Sequence, residues 1–359
     1  MNILILRLSA IGDVIHTIPA ILMLRHIFSQ ARIEWVVQEK VAPLLESQKF
    51  ISNIFVIPDN FLHIKNWGKL IKILKEINKI KWDIIIDFHG FHKVIPFLLF
   101  TRGRKYSFKG EGVKYSIGSH TSFLTHVHVN PECEHIIQKH LSLVDCVISD
   151  FTPNNYRPAL WALINKYPVN YQSESVNNWI KENIKDKYII LAPNTTWESK
   201  HWPELHWRSL IVSLKAGQLS GEIPAQIIIV GKDHGKAARA LINCESPPDV
   251  LFAPNWNLKQ TGALIASTLL LVAPDTGLLH LADFLGVQTL GLWGPTRSEW
   301  HGPFLFKANR ESYLKCDCPH LYKKKHCNTQ KTINSHDCMT KIISEHVYEK
   351  IRDVVGGSK

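Results

Sequence analysis

The sequence predicts an α/β protein made of two domains, each built around a parallel β-sheet. Short apolar runs alternate with segments of helical periodicity, and such alternation favours parallel strands joined by right-handed crossovers. A length of 359 residues is typical of two domains, and a hydrophobic content of 45% is sufficient for two cores. Prolines and asparagines cluster between residues 153 and 175, where we expect the domain boundary.

The apolar runs define eight candidate strands, four on each side of this boundary. They are residues 2–6, 33–37, 53–57 and 83–88 in the N-terminal half, and 188–192, 226–230, 269–273 and 289–293 in the C-terminal half. Helical patterns fall between them, most clearly at 67–80, 176–182, 206–215 and 278–285. We therefore predict an N-terminal domain of residues 1–170 and a C-terminal domain of 171–359, with a last helix that can pack back on the N-terminal domain.

The first candidate strand ends in a polar loop. Residues 7–13 (RLSAIGD) follow strand 2–6, and apolar residues at helical spacing begin at Val14. Asp13 is therefore predicted at the carboxyl end of a strand and in the first turn of a helix, where open α/β sheets bind their ligands. The alternative is a carboxylate that only complements the helix dipole. The dinucleotide fingerprint G-x-G-x-x-G does not occur here.

A second turn from strand to helix lies in the C-terminal half. The apolar run 268–273 stops at a proline. Asp275 and Thr276 can then cap a helix, and Gly277 leaves room at its first turn. Backbone N–H groups at such a helix start form a seat for phosphate. Residues 292–296 (LWGPT) form another such turn, and the two turns together suggest a crevice for a nucleotide diphosphate. An ordinary capped βα unit explains the first turn equally well.

The charge of the chain points to an anionic partner, since the formal net charge is +11 at pH 7 and the pI is about 9.2. Basic residues occur singly or in short groups such as 102–105 (RGRK) and 323–325 (KKK), without a recognisable nucleic-acid-binding module. A phosphorylated glycolipid or an anionic membrane surface therefore fits better than nucleic acid, and a merely solvated surface is the alternative. No apolar stretch approaches the length of a membrane span, so we expect a soluble, unexported protein.

Several of these segments together resemble glycosyltransferase family 9, the bacterial heptosyltransferases of lipopolysaccharide core synthesis. The N-terminal match is residues 8–20 (LSAIGDVIHTIPA). Further matches, in the family's order, are 192–196 (APNTT), 200–203 (KHWP), 274–277 (PDTG) with His280, and 294–296 (GPT). The extended matches at 200–204 and 206–208 are most similar to the family's enzymes that add the first heptose. The ordered set spans nearly the whole chain.

The resemblance implies a GT-B architecture, in which two Rossmann-like domains face each other across a cleft. It also implies an inverting glycosyltransferase that moves L-glycero-D-manno-heptose from ADP-heptose to the Kdo-lipid A inner core. Such an enzyme is cytoplasmic, peripheral on the inner membrane of a Gram-negative bacterium, and has no nucleic-acid partner. Asp13 would be the base that deprotonates the acceptor hydroxyl, and Lys200 the cation that stabilises the departing diphosphate.

The other site residues that the resemblance and the motifs indicate divide between donor and acceptor. The donor is expected to contact Thr195, Thr196, Gly231, Asp233, Asp275, Thr276, Gly277 and His280. The acceptor is expected to contact His89, Arg102, Arg104, Lys105 and His135. The arginines and the lysine suit phosphates and carboxylates, and a solvated basic loop is their alternative. The family often has an acidic residue shortly after the Gly231 turn. At the corresponding position this sequence has Gly235. Asp233 is therefore expected to make the contact with the nucleotide in its place, and the identity of the nucleotide base is left open.

No cofactor is expected, because Lys200 and a helix N-terminus supply positive potential without Mg²⁺. Asp275 is accordingly interpreted as a helix N-cap rather than a metal ligand. Cysteines crowd the C-terminal segment at Cys316, Cys318, Cys327 and Cys338. Four thiolates can bind Zn²⁺ or iron as a structural metal, but their spacing is not that of a zinc finger. Free thiols of a reduced cytosolic protein are therefore preferred.

Three alternatives remain open at this point. The enzyme can transfer another sugar, or transfer heptose to a protein. A nucleotide-sugar epimerase also has two Rossmann-like halves. A basic module that only binds glycolipid or nucleic acid is the third. Asp13 and Lys200 argue against this module, because a protein that only binds needs no base.

Overall fold

The computed structural model describes residues 1–46, 48–90, 92–109, 125–128, 133–152, 158–169, 171–231, 250–306, 309, 313–315 and 337–356. The chain divides into two compact units, Met1–Asn170 and Tyr171–Lys359. This division falls within residues 153–175, the stretch rich in proline and asparagine. Within the described ranges, none of the helices combines the length and the apolar character that a membrane crossing requires.

The N-terminal unit is a parallel sheet with helices in its connections. Its strands are β1 (Asn2–Leu6), β2 (Arg32–Gln38), β3 (Asn53–Ile57), β4 (Ile84–Asp87), β5 (Arg104–Lys109) and β6 (Thr125–His128). Its helices are α1 (Ile11–Ile27), α2 (Trp67–Asn78), α3 (Ile95–Phe100), α4 (Ile136–Phe151) and α5 (Leu160–Lys166). Short 3₁₀ turns lie at Ala42–Leu44, Ile64–Asn66 and His92–Val94.

The strands of this sheet lie in the order β3-β2-β1-β4-β5-β6, and every neighbouring pair is parallel. The order reverses direction between β1 and β4, which is the topological switch point of a doubly wound sheet. Leu6 pairs with Asp87, the last residue of β4. The loops after β1 and β4 therefore leave the carboxyl edge of the sheet side by side.

The C-terminal unit repeats this plan. Its strands are β7 (Tyr188–Leu191), β8 (Gln226–Ile229), β9 (Val250–Phe252), β10 (Leu270–Pro274), β11 (Gln288–Trp293) and β12 (Tyr313–Lys315). Its helices are α6 (Glu174–Asn183), α7 (Glu204–Ser220), α8 (Leu258–Ile265), α9 (Gly277–Phe284), α10 (Ser298–His301), α11 (Asp337–Thr340) and α12 (Ser344–Gly356), with a 3₁₀ turn at Glu198–Lys200.

The second sheet has the same strand order as the first. Read from β9, the order is β9-β8-β7-β10-β11-β12, with all pairs parallel. Its switch point lies between β7 and β10, where Leu191 pairs with Val272. The predicted α/β class with two Rossmann-like sheets is thereby confirmed, and each unit offers one ligand-binding edge at its switch point.

All eight predicted strands are present, and Asn2–Leu6 and Asn53–Ile57 occur at the predicted residues. The strands β5, β6, β9 and β12 are not among the predicted ones. β6 reads THVH and β12 reads YLK, so neither contains an apolar run that stands out from its surroundings. These strands exist because neighbouring strands offer a ladder of hydrogen bonds.

The last helix packs within its own unit. Val347, Ile351 and Val355 of α12 belong to the C-terminal core, and α12 contacts α7. The indole N–H of Trp202 donates to the carbonyl of Ile342, just before α12, at 2.7 Å. The buried residues of this helix thus contribute to the core of the C-terminal unit, and packing of the last helix on the N-terminal domain stays a prediction.

Candidate functional site

The loop after β1 holds an arginine and an aspartate in contact. Arg7 directly follows β1 and is buried, and its guanidinium donates to the carbonyl of Phe88 at 2.6 Å. A second terminal nitrogen of Arg7 lies 2.7 Å from Oδ2 of Asp13, whose side chain is 40% exposed. The same oxygen accepts the backbone N–H of Ala10 at 3.2 Å. The Asp13 carboxylate is therefore fixed on its protein side and accessible from solvent.

Asp13 lies where the sequence predicts it, after β1 and in the first turn of α1. A carboxylate that is held in one direction by Arg7 and is open to solvent is suited to the role of a general base. Arg7 was not among the predicted site residues. The signal that identifies it is its position as the first charged residue after a buried strand.

The loop after β4 is built around a buried carboxylate. Asp87 accepts the N–H groups of His89 at 2.8 Å and Gly90 at 2.9 Å, and the hydroxyl of Ser107 at 3.1 Å. Gly90 has a φ of 66°, which favours glycine. Burial raises the pKa of Asp87 to about 6, although these hydrogen bonds oppose the shift. Asp87 therefore shapes the turn that carries His89.

Two predicted acceptor residues lie at this same carboxyl edge. His89 follows β4 and is buried, and burial lowers its pKa to about 3, with the charge of Arg7 acting in the same direction. His135 precedes α4, where it accepts the N–H of Ile137 at 3.2 Å. Its ring meets that of His16 in α1 edge-on, with 5.8 Å between the centroids. A neutral His89 can form hydrogen bonds to a sugar but does not act as a cation.

The basic residues predicted to bind the acceptor lie at the opposite edge of the sheet. Arg104 is the first residue of β5 and pairs with Ile84, the first residue of β4. Its guanidinium forms an ion pair with Asp150 of α4 at 3.3 Å. The expectation that this stretch lies at the edge that carries Asp13 is therefore wrong for Arg104 and Lys105, and the assignment of Arg102, Arg104 and Lys105 to the acceptor stays a prediction. The sequence predicts this stretch as a loop directly after β4. In the structure α3 lies between them, and the chain returns to the amino edge of the sheet before β5 begins.

In the C-terminal unit, a buried ion pair joins the loop after β7 to the turn after β10. Nζ of Lys200 lies 2.5 Å from Oδ2 of Asp275, and Nε2 of His280 lies 3.2 Å from Oδ1 of the same carboxylate. Burial pushes the pKa of Asp275 upward, but the charge of Lys200 and the hydrogen bond from His280 outweigh burial and hold this pKa well below its usual range. Asp275 therefore stays ionised and holds both partners in place.

Asp275 does not cap the helix that follows it. α9 begins at Gly277 with Thr276 as its N-cap residue, and no side-chain hydrogen bond caps its first turn. The prediction of Asp275 as the N-cap is wrong, because its carboxylate is bonded to Lys200 and His280. The helix start therefore presents backbone N–H groups, where the helix dipole favours an anion. Lys200 adds a positive charge beside this turn.

The loop after β7 is tied down by its own hydrogen bonds. The hydroxyl of Thr195 donates to the carbonyl of Trp197 at 2.8 Å, and Nε2 of His201 lies 3.0 Å from the carbonyl of Thr195. Nζ of Lys200 lies 4.6 Å from the centroid of the Trp197 ring. Of the two threonines predicted to donate to phosphate, Thr195 uses its proton inside the loop, whereas Thr196 is exposed.

Two further turns complete this edge. Gly231 follows β8, and a Cβ there would collide with the side-chain amide of Asn194 after β7. A close approach of the two loops, and not only a turn, therefore requires the glycine.

Thr296 follows β11 and is buried, and its hydroxyl has no hydrogen-bond partner within the part of the chain that the structure describes. Because this hydroxyl also lies at the carboxyl end of β11, Thr296 is a candidate ligand contact that the predicted site did not include. The sequence feature that points to Thr296 is the turn at residues 294–296 (GPT).

Some predicted residues lie outside the described ranges. They are Asp233, Cys316, Cys318, Cys327 and the side chain of Cys338. The nucleotide contact of Asp233 and the choice between free thiols and a structural metal stay predictions. Among the residues that the structure does describe, no group of three or more His, Cys, Asp or Glu side chains is arranged to hold a metal ion.

Comparison with known proteins gives a consistent family. The family model described as Glycosyltransferase family 9 (heptosyltransferase) matches residues 70–332. Lipopolysaccharide heptosyltransferase 1 of Pseudomonas aeruginosa is 24% identical over 346 residues, covering 92% of this chain and 89% of that protein. Lipopolysaccharide heptosyltransferase 1 of Escherichia coli K12 is 24% identical over 336 residues, covering 89% of this chain and 94% of that protein.

Solved structures share the fold at low sequence identity. Escherichia coli heptosyltransferase WaaC with ADP matches with a TM-score of 0.73 and 17% identity, covering 99% of this chain and 100% of that one. The glycosyl transferase family 9 protein from Veillonella parvula matches with a TM-score of 0.78 and 18% identity, covering 99% and 98%. These likenesses confirm an α/β fold with two parallel sheets, as in the GT-B heptosyltransferases.

Proposed function

Because the chain belongs to glycosyltransferase family 9, it is a glycosyltransferase, and we propose that it transfers L-glycero-D-manno-heptose from ADP-heptose to the Kdo-lipid A inner core of lipopolysaccharide. Support comes from relatives named lipopolysaccharide heptosyltransferase 1, and from heptosyltransferase WaaC, solved with ADP-2-deoxy-2-fluoro heptose. The observation that carries the proposal is the pair of switch-point sites. One has a positioned carboxylate, and the other has a lysine beside an uncapped helix start.

In the proposed reaction Asp13 is the general base. Its carboxylate accepts the proton of the acceptor hydroxyl, and the oxygen of that hydroxyl attacks the anomeric carbon of the heptose. The bond from this carbon to the diphosphate breaks, and ADP leaves with the bonding electron pair. Attack from the face opposite the leaving group inverts the anomeric centre through an oxocarbenium-like state. Arg7 is a positioning residue, because it fixes the direction of the Asp13 carboxylate.

The leaving diphosphate is proposed to bind at the start of α9. Lys200 neutralises the charge that develops on the phosphate, and the N–H groups of Thr276 and Gly277 contact its oxygens. Gly277 has no side chain to obstruct the phosphate. Asp275 and His280 hold Lys200 and the turn in position and do not bind a metal.

Turnover is expected to continue in excess EDTA, because a lysine and a helix N-terminus stabilise the leaving diphosphate without Mg²⁺. The measurement is the initial rate of ADP release with and without the chelator, with enzyme passed over a desalting column as the control for slow metal loss. Complete loss of activity that Mg²⁺ restores would contradict the proposed role of Lys200. A structural ion at the C-terminal cysteines is tested separately by metal analysis of the purified protein.

The acceptor is proposed to be an anionic glycolipid on the cytoplasmic face of the inner membrane, and nucleic acid is not a proposed partner. The net charge of +11 supports an anionic partner. His89 and His135 are proposed to contact the acceptor sugar, because they lie at the edge of the sheet that carries Asp13. The low pKa of His89, about 3, suits a neutral hydrogen-bonding role.

Replacing Arg104 and Lys105 by glutamine is expected to leave the apparent KM for Kdo-lipid A unchanged, because both residues lie at the edge away from Asp13. Loss of the exposed ion pair between Arg104 and Asp150 costs at most about 1 kcal/mol of unfolding free energy. Steady-state kinetics and thermal unfolding of the double variant measure both quantities. A clear rise in the apparent KM without a loss of stability would indicate that Arg104 and Lys105 contact the acceptor.

The proposed function is tested by mass spectrometry of the lipid product after incubation with ADP-heptose and Kdo-lipid A. We expect one added heptose and the release of ADP. Parallel reactions with other sugar nucleotides and with a protein acceptor test the competing specificities. A comparable kcat/KM with another sugar nucleotide, or transfer to protein alone, would overturn the proposal. An epimerase or a module without catalysis does not fit membership of the family.

A further inference from the structure

The segment that leads from β3 into α2 exposes a group of apolar side chains. Ile64 is 80% exposed, Trp67 51% and Ile71 50%, and Leu62 beside them is exposed as well. Trp67 and Ile71 are four residues apart in α2, so they lie on one face of the helix. We call Leu62, Ile64, Trp67 and Ile71 the apolar ridge. Single exposed apolar residues are ordinary, whereas a neighbouring group marks an interaction surface.

The tryptophan of the apolar ridge is held in place. Its indole N–H donates to the carbonyl of Leu62 at 3.0 Å, and the side-chain amide of Asn66 donates to the carbonyl of Asn60 at 3.0 Å. Phe61 is buried in the core of the unit and anchors the turn. Because the indole donor is satisfied within the protein, the Trp67 ring can enter an apolar medium without leaving an unpaired polar group.

Lysines occur in the same turn and helix as the apolar ridge. The exposed residues Lys65, Lys69, Lys72 and Lys75 lie on α2 and the turn before it. The sequence contains no acidic residue between positions 60 and 75. In the described ranges none of these lysines takes part in an ion pair. A segment that combines exposed apolar residues with such lysines is complementary to anionic lipid head groups above acyl chains.

The apolar ridge begins at the edge of the sheet that carries Asp13. β3 ends at Ile57, which pairs with Gln38 at the end of β2, and the chain continues from there through residues 58–66 into α2. The carboxyl ends of β1, β2 and β3 share one edge, because these strands are parallel neighbours. The proposed base and this surface therefore belong to the same edge of the N-terminal unit.

We propose that the apolar ridge and its lysines dock the N-terminal unit on an anionic phospholipid bilayer. The inference rests on the proposed function, since a glycolipid acceptor is embedded in such a bilayer, and it names the surface that meets the membrane. Ile64, Trp67 and Ile71 enter the interface while the lysines contact lipid phosphates. A second copy of this chain fits less well, because a two-fold contact would bring both sets of lysines together. Nucleic acid would use the lysines but not the exposed aliphatic side chains.

Vesicle sedimentation tests this surface on the whole protein without any sugar substrate. With vesicles of equal parts phosphatidylglycerol and phosphatidylcholine we expect binding that weakens as salt rises, and with phosphatidylcholine alone much weaker binding. Trp67→Gln/Ile71→Gln is expected to lower the partition coefficient by about tenfold or more. Lys69→Gln/Lys72→Gln is expected to lower it by about fivefold for each lysine removed.

The matched control is Val212→Gln/Leu219→Gln, because these residues are 67% and 90% exposed but lie on α7 of the C-terminal unit. This control is expected to bind the vesicles like the wild type. Full vesicle binding by the ridge variants, or an equal loss in the control, would overturn the inference. So would a ridge variant that loses self-association or DNA binding while its vesicle binding is intact.

The failure of this inference and of the proposed function can be told apart with a water-soluble, delipidated Kdo acceptor. The ridge variants are expected to keep wild-type turnover with that acceptor and to lose turnover only with acceptor in vesicles. Wild-type protein that turns over the soluble acceptor but does not bind anionic vesicles would overturn the docking surface alone. Vesicle binding without transfer of heptose to either acceptor would overturn the proposed function.

Discussion

Asp13→Asn is expected to lower kcat by about 10²–10⁴-fold while the affinity for ADP stays at the wild-type value. The substitution keeps the size of the side chain but removes its ability to take up a proton. The asparagine oxygen can still accept from Arg7 and from the N–H of Ala10, so the loop after β1 is expected to keep its conformation. Turnover of ADP-heptose with Kdo-lipid A and calorimetric titration with ADP measure the two quantities.

Arg7→Met supplies the matched comparison for this experiment. It leaves the carboxylate of Asp13 in place but removes the guanidinium that fixes its direction. We expect a loss of kcat smaller than that of Asp13→Asn, because the base is still present but is less well oriented. Near-normal turnover of a correctly folded Asp13→Asn protein would remove Asp13 from the role of base.

The location of both switch-point sites follows from the sequence for a physical reason. Strands buried on both faces of a parallel sheet are continuous apolar runs, and they stop where the first polar residue leaves the sheet. The runs of β1 and β10 stop in this way, before Arg7 and before Asp275 respectively. The sequence therefore predicts that the polar residues after these runs lie at a ligand-binding edge of the sheet.

The partners within each site depend on strand order, which local patterns do not encode. Lys200 and Asp275 are 75 residues apart in sequence and meet only because β7 and β10 are neighbours in the sheet. From the sequence alone, an aspartate between a strand and a helix is predicted as a helix N-cap. Its actual partner, Lys200, is too distant in sequence for a local pattern to reveal it. The error at Arg104 has a similar origin. The six-residue helix α3 is too short to show a clear period, yet it decides which edge of the sheet Arg104 occupies.

Lys200→Met is expected to weaken ADP binding by about 10–100-fold, because a charge-assisted contact to the diphosphate is lost. The same substitution is expected to destabilise the C-terminal unit. Asp275 would remain buried with the hydrogen bond of His280 but without the charge of Lys200, and breaking a buried ion pair typically costs about 3–5 kcal/mol. Calorimetry with ADP and thermal unfolding separate the two effects, with Thr276→Val as a milder control that keeps the backbone N–H.

The double variant Lys200→Met/Asp275→Asn distinguishes two roles of the lysine. Asparagine removes the unpaired charge and still accepts the hydrogen bond of His280, so most of the lost unfolding free energy is expected to return. If Lys200 binds the diphosphate directly, ADP affinity stays low in the double variant. If the lysine only neutralises Asp275, ADP affinity recovers together with stability. Since no side chain caps the first turn of α9, that second outcome would make the helix N-terminus the main anion site and would contradict the role proposed for Lys200.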